Sequence, residues 1–295
     1  MDLTSNGYRV VNSPAQLGRL TPSAADAPLD RLREQLKADG YVWLRGFFPR
    51  EDVIALRRRF FERLKPTGIV ADGMDAGEGI YSGKRDQTGQ ATKLLMEFVR
   101  TAAYESFCFQ PRLWEFYEQL LGGDVYLHKR KIVRQTYPFD PRTTDAHYDL
   151  IYLRGGTDTV LSSWIPLGDV PLEMGGLTYL EGSDAFGRQM EAEFAARNAA
   201  LSPEERLSAY NKNMSATGGI GKDLSVLVTR YKTRWLVADY EAGDMVVHTS
   251  YIIHAATQNN SRENRLRLST DIRYQRIRDE IDARWQNHWT LDDML

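Results

Sequence analysis

The pattern of apolar positions changes character near residue 124. Before it, LDRLREQLKADG (29–40) places Leu29, Leu32 and Leu36 on one helical face and stops at Gly40. PREDVIALRRRFFERL (49–64) predicts an amphipathic helix that opens on Pro49 with acids in its first turn, which suits the positive end of a helix dipole. Between them, YVWLRGF (41–47) is a strand-like burst of aromatic and branched residues. ATKLLMEFVRTAAYESF (91–107) and QPRLWEFYEQLLGG (110–123) read as two further helices, the second ended by Gly122-Gly123. The stretch 72–90 carries five glycines and little periodicity, and its spacing is not that of a phosphate-cradling loop. It reads as a mobile surface loop.

From 124 onward the apolar residues come in short runs: VYLHKRKIVRQTYP, HYDLIYLRGG, DTVLSSWIPLGD, GGLTYLEGS, RWLVADYEAGD, MVVHTSYIIHAAT and RLRLSTDIRYQ. Gly, Pro, Asp and Asn punctuate them, and so many short strands argue for a sandwich or barrel and against a βαβ fold. One helical insertion, 183–222, interrupts the series. Within it SPEE (202–205) has the form of a capping box, with Ser202 as N-cap, Pro203 in the first turn and Glu205 closing. The chain thus reads as a single unit over 1–295, mostly helical over 1–123, with a β core over 124–280.

Composition narrows the function. With 42% hydrophobic and 26% charged residues the chain is an ordinary globular sequence, and a net charge of −2 supplies no field for nucleic acid. The basic run HKRKIVR (128–134) is broken by Ile132 and Val133, as a strand with charged faces would be. A single cysteine, Cys108, rules out an intramolecular disulfide framework and a cysteine-based zinc site. No run approaches the roughly 18 apolar residues of a membrane span, so the expected setting is cytoplasmic, without membrane or nucleic-acid partners and with a homodimer left open.

The candidate chemistry starts at His147-Tyr148-Asp149, at the head of a predicted strand. Alternation would put the imidazole and the carboxylate on one face, a donor pair suited to a divalent metal of intermediate softness. A third ligand from a distant strand would complete a facial triad. Of five histidines, His128 sits in the basic strand and His288 in the polar tail, which leaves His248 and His254 in MVVHTSYIIH (245–254). Local composition does not choose between them. After His254 the chain turns and returns as RLRLS (265–269), whose alternation groups Arg265, Arg267 and Ser269 on one face, where an arginine is costly unless an anion meets it.

HxD, about a hundred residues, GDMVVHTSYIIH and then RLRLS resembles the phytanoyl-CoA dioxygenase family of Fe(II)/2-oxoglutarate-dependent oxygenases. DGYVWLRGFFPREDV (39–53) and GGLTYLEGSD (175–184) are similar to further segments of that family, and the likeness spans about 30–280. In the family an arginine eleven residues after the distal histidine grips the cosubstrate, with a serine four beyond. His254, Arg265 and Ser269 reproduce that spacing, whereas His248 would place Asn259 there. A departure is Ala256, where some relatives carry a hydroxyl.

The resemblance implies a mainly β double-stranded β-helix, or jelly-roll, with flanking helices. It implies Fe(II) held by His147, Asp149 and His254, and 2-oxoglutarate held by Arg265 and Ser269, with Trp164 against it and Arg134 assisting. With O2 the expected reaction is oxidation, most simply hydroxylation, of a small organic substrate contacted by Tyr152 and Arg154. Asp149 occupies the position that related halogenases leave open for halide. Two alternatives stand beside this: another metal enzyme using the same triad, and a non-catalytic jelly-roll binding protein.

Overall fold

A computed structural model describes residues 3–202, 205, 219–288 and 290. Four short strands open the chain: β1 (Leu3–Ser5), β2 (Tyr8–Val10), β3 (Leu17–Arg19) and β4 (Pro22–Ala24). Then come α1 (Leu29–Asp39), β5 (Tyr41–Arg45), α2 (Arg50–Leu64), α3 (Gln90–Phe98), α4 (Ala102–Cys108) and α5 (Pro111–Leu121). The second half runs β6 (Val125–Leu127), β7 (Ile132–Thr136), α6 (Leu150–Leu153), β8 (Leu161–Pro166), β9 (Leu177–Leu180), α7 (Asp184–Arg197) and α8 (Leu224–Tyr231). It finishes with β10 (Trp235–Val237), β11 (Met245–Thr249), β12 (His254–Ala256) and β13 (Arg267–Arg276).

The strands form two main sheets. The larger runs β4-β5-β11-β8-β13-β6, with β7 also paired to β13, and the smaller runs β12-β9-β10-β3. Between them lies a buried layer to which both contribute, Tyr41, Trp43 and Trp164 from one sheet and Tyr179 and Leu236 from the other. The helices of the first third cover the outer face of the larger sheet, where Leu44, Val247, Ile165, Leu268 and Ile272 meet Phe60, Phe61 and Tyr117. Two cores on opposite faces of that sheet are what strict alternation along β11 and β13 produces. This is the jelly-roll arrangement with helices outside.

Several local expectations change. The opening segment holds four strands that the pattern did not reveal, because each is three residues long; β3 and β4 join the main sheets only by pairing in parallel with β10 and β5. The run 91–107 is two helices, since the Thr101 hydroxyl accepts the Tyr104 N–H and starts α4 afresh. HYDLIYLRGG is not a strand: Asp149 has helical dihedrals and Leu150–Leu153 is a short helix. α8 was also unforeseen; its signal is Asp223, whose carboxylate caps the Ser225 N–H. Ser202 and Glu205 exchange the two hydrogen bonds of the capping box, while Pro203 and the rest of that segment to 218 lie outside the described residues.

Candidate functional site

The stretch MVVHTSYIIH spans both sheets. β11 carries His248 in the larger sheet and β12 begins at His254 in the smaller one, so the two histidines approach the interior from opposite walls. His147 reaches His254 by an isolated bridge, its N–H donating to the His254 carbonyl at 3.0 Å and its carbonyl accepting from the His254 N–H at 2.8 Å. The chain then turns into α6 and swings Asp149 under both rings. His147, Asp149 and His254 each present a ligand atom, all within 4.8 Å of one another, and all three residues are buried.

Hydrogen bonds fix how the donors face. His147 Nδ1 lies 2.8 Å from the Asp145 carbonyl and His254 Nδ1 lies 3.0 Å from that of Ile252. A carbonyl can only accept, so each Nδ1 carries the proton and each Nε2 offers its lone pair inward. These Nε2 atoms stand 3.7 and 3.6 Å from Asp149 Oδ1. The other oxygen, Oδ2, accepts from Ser162 Oγ and from Arg273 Nη2 at 3.1 Å, with His248 Nε2 at 3.6 Å. Burial would raise the Asp149 pKa, but Arg273 and the neighbouring imidazoles hold it well below the usual carboxylate range. Burial lowers His147 and, with His147 and His248 beside it, lowers His254 further. The result is a buried site with one anionic oxygen and two neutral nitrogens facing each other, which suits a divalent transition metal.

His248 supports that carboxylate. Its Nδ1 meets Tyr179 Oη at 2.9 Å, while its Nε2, 3.6 Å from Asp149 Oδ2, has no hydrogen-bond partner. Tyr179, His248 and Ser162 stand together behind Asp149; the sequence reading gave His248 a supporting place but left Tyr179 and Ser162 unmarked, although Ser162 is read inward once β8 is known to alternate.

The structure separates the two arginines of RLRLS. Arg265 precedes β13, bridges to Ile80, and its guanidinium pairs with Glu78 and Glu263. It lines a groove that shares no residue with the cavity around the triad, and although that groove is the larger, its Arg50, Arg58 and Arg265 are already matched by carboxylates. Arg267 takes the inward place. It is 4% exposed, donates through Nη2 to Thr136 Oγ1 at 2.8 Å and through Nη1 to the Gly175 carbonyl, and leaves Nε without a partner. Two residues on, Ser269 Oγ is also buried and unpartnered. Burial, then repulsion from Arg134, pushes the Arg267 pKa down to about 10. Arg267 Nε and Ser269 Oγ are thus two buried polar atoms on one strand face that no protein group satisfies.

The cavity is walled by Trp164 and Arg134 as well as by the triad. Trp164 is buried and packs on Tyr240 at 4.7 Å between centroids, and Arg134 pairs with Asp271 at 2.6 Å. Tyr152 sits edge-on to the His147 ring at 5.5 Å. Arg154 is turned away: it bridges Glu191 on α7 and contacts Tyr148 Oη, so it braces the insertion and does not line the cavity.

Two consequences can be measured. Gly175 has φ +65°, and a Cβ there would stand 2.2 Å from the Thr257 carbonyl oxygen. Gly175→Ala is expected to cost about 2 kcal/mol or more and, by shifting the carbonyl that holds Arg267, to weaken anion binding; an unchanged melting temperature would refute the reading. The second concerns acid. Burial pushes the His128 pKa from 6.5 down to about 4 despite its bond to Gln275. The unfolded chain then binds a proton that the folded one refuses, so stability is full above 6.5 and is lost as pH falls toward 4. The loss is of the order of 3 kcal/mol for this residue, and metal-free His147 and His254 shift in the same direction. Urea midpoints of the metal-free protein should fall between pH 7 and 5.

Among the described residues no helix is long and apolar enough to cross a membrane. No curated protein matches the chain. Solved structures do. The non-heme α-ketoglutarate-dependent carbocyclase SnoK from nogalamycin biosynthesis is 19% identical, with a TM-score of 0.55 and 89% of each chain covered. The epimerase SnoN from the same biosynthesis is 20% identical, with a TM-score of 0.52, covering 84% of this chain and 82% of its own. EctD from S. alaskensis is 14% identical, with a TM-score of 0.56 over 97% of this chain and 91% of its own. At these identities they share the fold. The family model described as phytanoyl-CoA dioxygenase matches residues 36–266, well over half of the sequence, and the chain belongs to the phytanoyl-CoA dioxygenase family.

Proposed function

We propose that this protein is an Fe(II)- and 2-oxoglutarate-dependent oxygenase that hydroxylates a small organic substrate. The observation that carries the reading is the buried triad whose two Nε2 lone pairs and one carboxylate oxygen converge, next to a buried arginine with a bond still to make. His147, Asp149 and His254 would hold the iron. Arg267, with Ser269 beside it, would hold the far carboxylate of 2-oxoglutarate in the role the spacing had given Arg265, with Trp164 and Arg134 as walls. Bound there, iron and 2-oxoglutarate supply with O2 the oxidising power for C–H functionalisation, leaving succinate and CO2.

The chain's own contribution is orientation and exclusion of water. Ser162, Arg273 and His248 fix Asp149 so that Oδ1 faces the metal position. The paired backbone bonds between His147 and His254 lock the two rings to each other across the sheet edge. Asp149, as a carboxylate, fills the position a halide would need, which favours hydroxylation over halogenation. The neighbours named as an epimerase and a carbocyclase mark other outcomes on this fold.

Anaerobic titration of the purified protein with Fe(II) and 2-oxoglutarate is expected to produce a visible charge-transfer band, and admission of O2 to yield succinate only when ferrous iron is present. Absence of the band at saturating concentrations would count against the reading and favour a non-catalytic binding protein. Turnover with zinc and without 2-oxoglutarate would favour a hydrolase.

A further inference from the structure

The inner face of β13 continues past the cosubstrate position. After Arg267 and Ser269 it presents Asp271, Arg273 and Gln275, all buried. Arg273 is 4% exposed, lines the same cavity as the triad, and is stacked on Trp285 with its guanidinium carbon 4.5 Å from the ring centroid. Only Nη2 has a hydrogen-bond partner, Asp149 Oδ2; Nε and Nη1 are buried with none. Leaving charged donors buried and unpaired is costly unless a ligand completes them.

Charge points to what that ligand is. The cavity lining holds three arginines, Arg134, Arg267 and Arg273, against two aspartates, Asp149 and Asp271. Ferrous iron and 2-oxoglutarate carry equal and opposite charges, so loading both leaves one positive charge uncompensated. Arg134 already has Asp271, and Arg267 is the anchor for the cosubstrate. We infer that Arg273 is the recognition residue for a substrate bearing a single negative charge, a carboxylate, which binds beside the metal ligand Asp149 and completes the free Nε and Nη1 donors. A phosphate dianion would overshoot the one remaining charge. This rests on the oxygenase reading above, since it assigns the cosubstrate to Arg267.

Acetate and acetamide, nearly identical in shape and different in charge, are the probes. With Fe(II) and 2-oxoglutarate bound anaerobically at constant ionic strength, acetate should perturb the charge-transfer band saturably, at a concentration at least about tenfold below that of acetamide, without displacing the band. The acid preference should vanish in Arg273→Gln and persist in Arg267→Met, read by thermal shift of the iron-free protein with excess 2-oxoglutarate present to occupy Arg267. Equal response to acid and amide, no response to acetate, or displacement of the band by acetate would each overturn the inference. If no band forms at all, the oxygenase reading fails separately, and the thermal-shift comparison of the two variants still decides whether Arg273 binds the carboxylate. Because the wild-type comparison needs no variant, a poorly folding Arg273→Gln does not remove the test.

Discussion

His254→Ala is expected to eliminate both the Fe(II)/2-oxoglutarate band and turnover, while His248→Ala retains the band and binds iron about 10- to 100-fold more weakly. The two residues lie six apart in one apolar stretch, and their ring centroids are only 4.7 Å apart. Their roles differ because of what holds them. His254 Nδ1 is tied to a carbonyl and its Nε2 faces Asp149 Oδ1 together with His147; His248 Nδ1 is tied to the Tyr179 hydroxyl and its Nε2 lies beside the other oxygen, Oδ2, outside the triad. Equilibrium dialysis against Fe(II), read with the optical band, separates the outcomes: loss of the band in His248→Ala with retention in His254→Ala would exchange the assignments. Tyr179→Phe, which removes only the hydroxyl, should reproduce a milder form of the His248 effect.

Arg267→Met should raise the half-saturating concentration of 2-oxoglutarate by about 100-fold, whereas Arg265→Met should change it by less than about threefold. A buried charge-assisted bond contributes about 1.5–3 kcal/mol, and Arg267 has no solvent to replace its anion. Arg265 is partly exposed and lies between Glu78 and Glu263, so its loss is expected to cost at most about 1 kcal/mol of stability. Titration of the band with 2-oxoglutarate in the two variants decides the matter, and a large effect confined to Arg265→Met would restore the assignment drawn from spacing. A modest drop in the melting temperature of Arg265→Met would be the signature of a broken surface network, with cosubstrate affinity intact.

The contrast between these two arginines shows what kind of information the chain carries in linear form. Alternation in RLRLSTDIRYQ already grouped Arg267 and Ser269, with Arg265, on one face, since side chains two apart on a strand share a side. It could not say where the strand begins. Ile80, far away in sequence, bridges to Arg265 and sets that edge, so one residue of the row faces the groove with the glutamates and the next faces the metal cavity. In the same way HYD was legible as a donor pair, but through strand alternation that the molecule does not use: the turn into α6 and the bridge to His254 bring Asp149 beneath both rings.

By itself the sequence determined the class of fold, through many short punctuated apolar runs after residue 124, and narrowed the donors to the HxD pair with His248 or His254, between which only the family resemblance chose. It also set the polar face of β13. The tertiary structure decided which nitrogen of each histidine faces the metal position, which arginine enters the cavity, and that Ser162, His248 and Arg273 converge on one oxygen of Asp149. The reason is physical: periodicity encodes which face a side chain takes within its own element, but distance and protonation are set by partners on other strands, and those are chosen only when the two sheets close on each other.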